Sequence, residues 1–370
     1  MRIERIEQFH IRMPLKHHFE TSFSRVTDMD KIILAVYADG LVGYGESPVD
    51  LDPYYSYETI ETAWHVQRDF LISTLLGAEV EHATEIPWLL RRVRGHQMAK
   101  AGLEAAIWDL EGKAAGVPVS KILGGTRDQI ASGVSIGVQD TIAELLEQIS
   151  DYLAEGYVRI KIKIKPGWDA NIVDVVRQQF PDTPLMVDAN SAYSLADAPM
   201  LKALDKYNLL MIEQPLAYDD ILEHAELQRM LATRICLDES IHAVSRAREA
   251  LALGSCRVIN IKPARVGGLT HARTIHTLCE EAGIPVWCGG MLESGVGRAH
   301  NVALASLPNF SLPGDISGSD RYWEQDIVEP EFSLNADGTM TVPTGPGIGV
   351  RVLRDRLEEV AVQRAEYRPA

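Results

Sequence analysis

Beyond residue 130, short apolar runs alternate with longer stretches in which apolar residues return at helical spacing. The runs fit buried strands and the longer stretches fit amphipathic helices packed against them. The pattern predicts strands over 131–137, 158–164, 184–188, 208–213, 235–238, 257–262, 284–288 and 310–314, with a helix between each successive pair. Eight parallel strands connected this way close a barrel. After the last strand, LPGDISGSDRYWEQDIVEPEF is polar, turn-rich and aromatic, and it offers no clear final helix.

Residues 1–125 do not follow this rhythm. Apolar alternation predicts strands over 2–13 and 31–39, GLVGYGES reads as a glycine-rich turn, and helical patterns occupy 56–75 and 98–115. The stretch 14–30, with Phe, His and Ser but few aliphatic residues, reads as a loop. The expected organisation is an α+β capping domain over 1–125, a barrel over 126–325, and a segment 326–370 that returns to the cap and ends in a helix over 355–366.

Composition narrows the function. A chain of 370 residues exceeds one ordinary core, in keeping with a large domain plus a small one. Lys and Arg total 36 against 52 for Asp and Glu, and a net charge of -16 argues against a nucleic-acid partner. The N-terminus has charges scattered through its apolar positions, and no later segment approaches the length of an uncharged membrane span, so a soluble, cytoplasmic protein is expected. Cys236, Cys256, Cys279 and Cys288 lack CxxC spacing and read as reduced core thiols. No glycine-rich stretch has the strand, helix and acidic residue that a dinucleotide fold requires, and no P-loop is present.

Lys163, Asp188, Glu213, Asp238 and Lys262 each close an apolar run, and the successive gaps are 25, 25, 25 and 24 residues. One strand, one helix and two loops consume about that length, so the period sets these groups at the same end of successive strands. Lys161 shares a face with Lys163, while Ile160, Ile162 and Ile164 take the opposite one. KIKIK taken alone equally fits an exposed edge strand guarded by lysines, but a barrel needs its outer face apolar and turns the lysines inward. Three converging carboxylates without His or Cys suit a hard cation, Mg²⁺ first, with Mn²⁺ or another divalent ion as substitute. Any one acid read singly also fits a helix cap; the shared register is what joins them.

Lys262 on strand six lies across an eight-stranded ring from Lys163 on strand two. A small-molecule carboxylate held between them presents its α-carbon to an amine on either face, so proton abstraction through an enediolate is the expected chemistry. Lys161 and the cation are expected to weaken the affinity of Lys163 for its proton. Asn190 shares a face with Asp188, and Glu239 is expected beside the ligands rather than among them. Arg265 fits either a second anionic group or a loop acid; Gly289, Gly290 and Met291 allow close backbone approach, and Glu293 with Ser294 is expected at the cavity wall.

These residues resemble the enolase superfamily in its muconate-lactonizing-enzyme subgroup: K-x-K at Lys161 and Lys163, acids in VDAN, IEQP and LDES, and the lysine of NIKPARVGG. GYVRIKIKIKPGWD, LLMIEQPL and PVWCGGMLESGVGRAHNVALASLPNF resemble the o-succinylbenzoate synthase / N-acylamino acid racemase family, and the similarity runs over essentially the whole chain. The resemblance implies a modified TIM barrel, (β/α)7β, under an α+β N-terminal capping domain. It assigns Mg²⁺ to Asp188, Glu213 and Asp238, catalysis to Lys163 and Lys262, and closure over the substrate to Phe19 and Phe23. It also implies the menaquinone-pathway dehydration, N-acyl or N-succinylamino acid racemase activity, and a homo-oligomer, either a dimer or a larger ring such as an octamer. Arg265 in KPARVGG matches members with racemase capacity. Dipeptide epimerase and muconate cycloisomerase share the lysine framework, and a non-catalytic binding barrel is the rival of a different class.

Overall fold

The computed structural model describes residues 1–20 and 25–369. The cap begins with strands β1 (Ile3–Glu20), β2 (Arg25–Ala38) and β3 (Leu41–Ser47), followed by helices α1 (Ile60–Val66) and α2 (Gln97–Ala115). The barrel alternates β4 (Val134–Ile136), α3 (Ile142–Glu155), β5 (Ile160–Lys163), α4 (Ala170–Gln179), β6 (Leu185–Asp188), α5 (Ala198–Ala203) and β7 (Ile212–Glu213). It continues through α6 (Leu222–Met230), β8 (Ile235–Leu237), α7 (Val244–Leu253), β9 (Val258–Ile261), α8 (Leu269–Glu281), β10 (Val286–Cys288) and α9 (Gly295–Ala305). Helix α10 (Arg354–Glu359) and strand β11 (Ala361–Tyr367) end the chain.

Strands β4 to β10 form one parallel sheet in sequence order. The expected eighth strand is an irregular closing segment instead. Asn309 O accepts from Val286 N at 3.3 Å and Asp315 N donates to Cys288 O at 2.9 Å on one side, while Gly314 bridges to Ser132 on the other. Pro308 and Pro313 bring no N–H to a ladder, so the segment closes the ring without a regular strand. The four cysteines are free and buried, and no helix among the described residues is long and apolar enough to cross a membrane.

Alternation along the barrel strands stacks inward-facing residues in layers. Met186, Met211, Cys236, Val258 and Trp287 pack together in the lower layer. Two residues further along the same strands, the inward positions are Asp188, Glu213, Asp238 and Asn260. An apolar plug therefore supports a charged floor at the carboxyl end of the strands, where such barrels place their chemistry.

Three expectations for the cap and tail are corrected. GLVGYGES is strand β3 rather than a turn: a Cβ on Gly43 would lie 2.1 Å from Ala106 O, and one on Gly45 would lie 2.0 Å from Gly102 O, so these glycines admit the backbone of α2. Gly45→Ala is expected to cost about 2–3 kcal/mol in chemical denaturation, because the contacted atoms are backbone and cannot swing aside; an equally stable variant refutes this packing. The stretch 14–30 is mostly a hairpin, in which Phe19 pairs with Val26 and Glu20 with Arg25. Among its described residues Phe19, Val26, Asp28, Met29 and Asp30 line the cavity and Lys16, His17 and His18 are exposed, so few aliphatic residues are needed and cross-strand pairing holds it.

The terminal helix stops at Glu359, and Ala361–Tyr367 becomes β11, antiparallel to β1. The buried Glu7 of β1 explains the preference: Arg354 and Arg364 each approach it at 2.6 Å and Tyr37 OH donates at 2.7 Å. Burial pushes the Glu7 carboxyl up, but hydrogen bonds from Arg354, Tyr37 and Arg364 outweigh it and bring it down to about 2. Thr339–Thr341 pairs with Gln129–Ala131, so the 326–370 segment is tied both to the approach to the barrel and to the cap sheet.

Candidate active site

Parallel register sets Lys163 beside Asp188 and Asp188 beside Glu213. Lys163 Nζ donates to Asp188 Oδ2 at 2.7 Å and to Asn190 Oδ1 at 2.6 Å. Deeper on the same face, Lys161 Nζ reaches Glu213 Oε2 at 2.8 Å, Asp315 Oδ2 at 2.6 Å and Asp188 Oδ2 at 3.3 Å. On the far side of the ring, Lys262 Nζ donates to Asp238 Oδ2 at 2.9 Å and to Tyr55 OH at 2.8 Å. Asn260 Nδ2 bridges Glu213 Oε1 at 2.7 Å and Asp238 Oδ1 at 2.9 Å. Lys161, Lys163, Asp188, Asn190 and Lys262 all line one cavity of about 200 Å³ between barrel mouth and cap. Phe19, Met29, Leu51, Tyr54 and Tyr55 supply its cap wall.

Residues 5–124 match the family described as "Mandelate racemase / muconate lactonizing enzyme, N-terminal domain", and residues 144–356 match "Enolase C-terminal domain-like". The chain belongs to the enolase superfamily. It is 53% identical over 357 residues to an o-succinylbenzoate synthase of Geobacillus kaustophilus, covering 96% of this chain and 95% of that one. It is 48% identical over 362 residues to an N-succinylamino acid racemase of Thermus thermophilus, covering 98% of both chains. The solved structure of an enolase-superfamily protein from Listeria innocua superposes with a TM-score of 0.96 at 42% identity, covering 100% of this chain and 99% of that one. Its place is therefore in the synthase and racemase group of the superfamily, and it is an enzyme.

Enolase-superfamily membership implies a divalent metal. Among the described residues no three acidic, His or Cys side chains converge tightly enough to hold an ion as they stand. The Lys161 ammonium sits between Asp188 and Glu213, and the Asn260 amide between Glu213 and Asp238. The donor set still fits a hard cation, being all oxygen and buried, and two buried acceptors there, Asn260 Oδ1 and Glu239 Oε2, have no hydrogen-bond donor.

Charge is crowded on this superfamily floor. Burial pushes the Asp188 carboxyl up, but Lys163 and Lys161 outweigh it and leave the acid below its ordinary value; Arg265 and Lys262 do the same for Asp238. Glu213 is pushed up to about 7 by burial and by the Asp188 carboxylate. Glu239, whose Oε1 accepts from Asn190 Nδ2 at 3.0 Å, is pushed up to about 8 by burial and by Asp238 and Asp188. Burial pulls Lys161 and Lys262 down, yet their carboxylate neighbours hold both ammonium groups above the ordinary lysine value.

Several expected site residues lie elsewhere. Arg265 does not face the cavity: its guanidinium contacts Asp238 Oδ1 and donates to Ile241 O at 2.9 Å, Asn260 O at 2.6 Å and Tyr55 OH at 3.0 Å. Of its two readings the acid partner prevails, but that acid is at the barrel floor. Gly290 and Met291 line the cavity, whereas Gly289 lets the stem of Lys262 pass, since a Cβ there would lie 2.7 Å from Lys262 Cε. Glu293 turns away from the cavity to accept from Met291 N and Asn301 Nδ2, each at 2.8 Å, and Ser294 caps α9 and bonds Glu46 at 2.6 Å. Phe23 lies outside the described residues.

Sequence reasoning missed Tyr55, Asn260 and Asp315. Asn260 stands two residues before Lys262 on the same inward face, and Asp315 follows the closing segment as the other acids follow their strands. Alternation and the strand-end rule contain both signals. Tyr55 comes from an irregular cap segment with no period to mark it.

Proposed function

We propose that this chain is a Mg²⁺-dependent o-succinylbenzoate synthase that also racemises N-succinylamino acids. The observation that carries this reading is the pair Lys163 and Lys262, from strands across the ring, lining one cavity together with Asp188, with Glu213 and Asp238 directly behind, paired to Lys161 and Lys262. Similarity to both synthases and racemases supports the two activities together.

In the dehydration, Lys163 as free amine takes the proton α to the carboxylate of 2-succinyl-6-hydroxy-2,4-cyclohexadiene-1-carboxylate. The resulting ammonium then gives that proton to the departing hydroxyl, which leaves as water and restores the amine. Lys262 remains an ammonium and stabilises the enediolate charge. In racemisation one lysine removes the α-proton and the other delivers a proton to the opposite face, the roles reversing with substrate handedness. A divalent ion held by Asp188, Glu213 and Asp238 would supply further charge neutralisation at the substrate carboxylate. Asn190 positions Lys163 through its Oδ1, and Arg265 holds Asp238. Phe19 and the cap tyrosines wall the cavity and limit water around the reacting carbon.

Purified protein with Mg²⁺ is expected both to dehydrate the cyclohexadiene substrate and to abolish the optical rotation of N-succinylmethionine. Dehydration without measurable racemisation contradicts the dual activity. Neither dehydration of the cyclohexadiene substrate nor deuterium uptake from D₂O by the N-succinylamino acid points to a binding barrel instead. Assembly as a homo-oligomer in the cytoplasm belongs to the same reading, and sedimentation analysis checks the former.

A further inference from the structure

The helices that follow the two lysine strands begin in different ways. Helix α4, after the strand of Lys163, is capped from its own loop, where Asp169 accepts from Ala170 N at 2.7 Å. Helix α8, after the strand of Lys262, has Gly268 at its cap position and therefore no side chain there. The first N–H groups of a helix lack partners within it, and buried ones need an acceptor. For α8 the acceptor comes from the other domain. Glu104 of α2, 1% exposed, receives Leu269 N at 2.8 Å, Thr270 N at 2.9 Å and Thr270 Oγ at 2.5 Å, together with Trp108 Nε1 of its own helix at 2.8 Å.

Gly268 provides an independent observation. A Cβ there would lie 2.4 Å from Glu104 Oε2, and its φ is +118°, so the glycine both admits the carboxylate and takes a backbone shape that side chains disfavour. The stretch between Lys262 and α8 is short and tied to itself. Val266 N donates to Lys262 O at 3.3 Å and Gly268 N to Pro263 O at 2.8 Å, so a shift at Leu269 is passed back to Lys262 with little slack. Glu46 of β3 makes a similar contact at the start of α9, accepting from Ser294 N at 3.2 Å and Gly297 N at 3.0 Å, but there Ser294 also supplies a cap of the helix's own. The cap thus holds the barrel on the side of Lys262 and β10.

We propose that Glu104 is a positioning residue for Lys262, by which the capping domain sets the reach of one catalytic amine and leaves the other to the barrel's own loops. This rests on the function proposed above, in which each lysine deprotonates one enantiomer. Glu104 does not line the substrate cavity and acts through the turn Pro263–Val266 and the start of α8. Misplacing a reacting group by 1 Å costs on the order of 10² in rate, so a smaller shift of Lys262 is enough to unbalance the two directions of proton removal.

The test follows α-proton exchange of each N-succinylmethionine enantiomer in D₂O with Mg²⁺, in the wild type and in Glu104→Gln, which keeps the side chain's shape but turns one acceptor into a donor facing N–H groups. The enantiomer served by Lys262 is the one that still exchanges in Lys163→Ala. Glu104→Gln is expected to slow that enantiomer about tenfold and the other by less than about twofold. Equal slowing of both, or no change, overturns the proposal. The milder Thr270→Val, expected to give about threefold in the same direction, decides it if far-UV circular dichroism shows the glutamine variant misfolded. Amide hydrogen exchange read by mass spectrometry without substrate should show residues 262–272 loosened in Glu104→Gln and residues 163–173 unchanged. If the wild type exchanges neither enantiomer while the variant loosens 262–272 alone, the proposed function fails and the contact between domains stands. If the wild type exchanges both and the variant slows them equally with 262–272 unchanged, the positioning role fails and the function stands.

Discussion

Lys163→Ala is expected to lower the dehydration rate by at least about three orders of magnitude and to remove racemisation in both directions, leaving the fold intact. A positioned acid–base group contributes on the order of 10²–10⁴ in rate, and Lys163 serves dehydration twice, as base and then as acid. The residue is 6% exposed and its amine is fixed by Asp188 and Asn190, so water has little room to replace it. The variant should stay folded because Asp188 keeps Lys161 at 3.3 Å as a counter-ion. Proton NMR in D₂O gives the sharper readout. Exchange of the α-proton should vanish for the enantiomer that Lys163 deprotonates and persist for the one Lys262 deprotonates, with Lys262→Ala reversing the pattern. Unchanged exchange from both enantiomers rules out the assignment of Lys163 as a base.

Asp238→Asn should carry the largest cost in stability, about 3–5 kcal/mol, together with loss of the stabilising response to Mg²⁺. Asp238 is 1% exposed and accepts from Lys262 and Asn260 at 2.9 Å each and from Tyr55 OH at 3.1 Å, with Arg265 also in contact. The amide leaves Lys262 and Arg265 as buried cations without a counter-ion, and breaking a buried pair in this way is far more costly than losing a surface one. The same change removes one of three acids offered to the metal. Urea denaturation with and without Mg²⁺ measures both effects; a variant as stable as the parent, whose midpoint still rises with Mg²⁺, shows that Asp238 is neither counter-ion nor ligand. A linked effect is expected at Arg265, because it contacts the same carboxylate and the two losses should not add.

The two predictions draw on different kinds of information. Lys163 and Lys262 were identifiable because a strand, a helix and two loops consume a nearly constant length of chain, so polar residues spaced about 25 apart fall at the same end of successive strands. Alternation within IKIK then separated lysines facing the interior from isoleucines facing the helices. Cross-strand and interdomain pairing leaves no such period. The hairpin beyond Pro14 depends on residues of β2 opposite it, and Ala361–Tyr367 becomes a strand because β1 has an open edge and Glu7 needs cations. Local propensity alone made the first a loop and the second a helix.

The sequence by itself determined which polar side chains reach the carboxyl end of the ring, since that follows from local periodicity and the fixed rise of strand and helix. Tertiary structure alone decided which charges neutralise one another there: Arg265 turned down to Asp238, Asp315 took Lys161, and Tyr55 entered from the cap. Those choices follow from distances between residues as much as 210 positions apart, along with the cost of burying an unmatched charge.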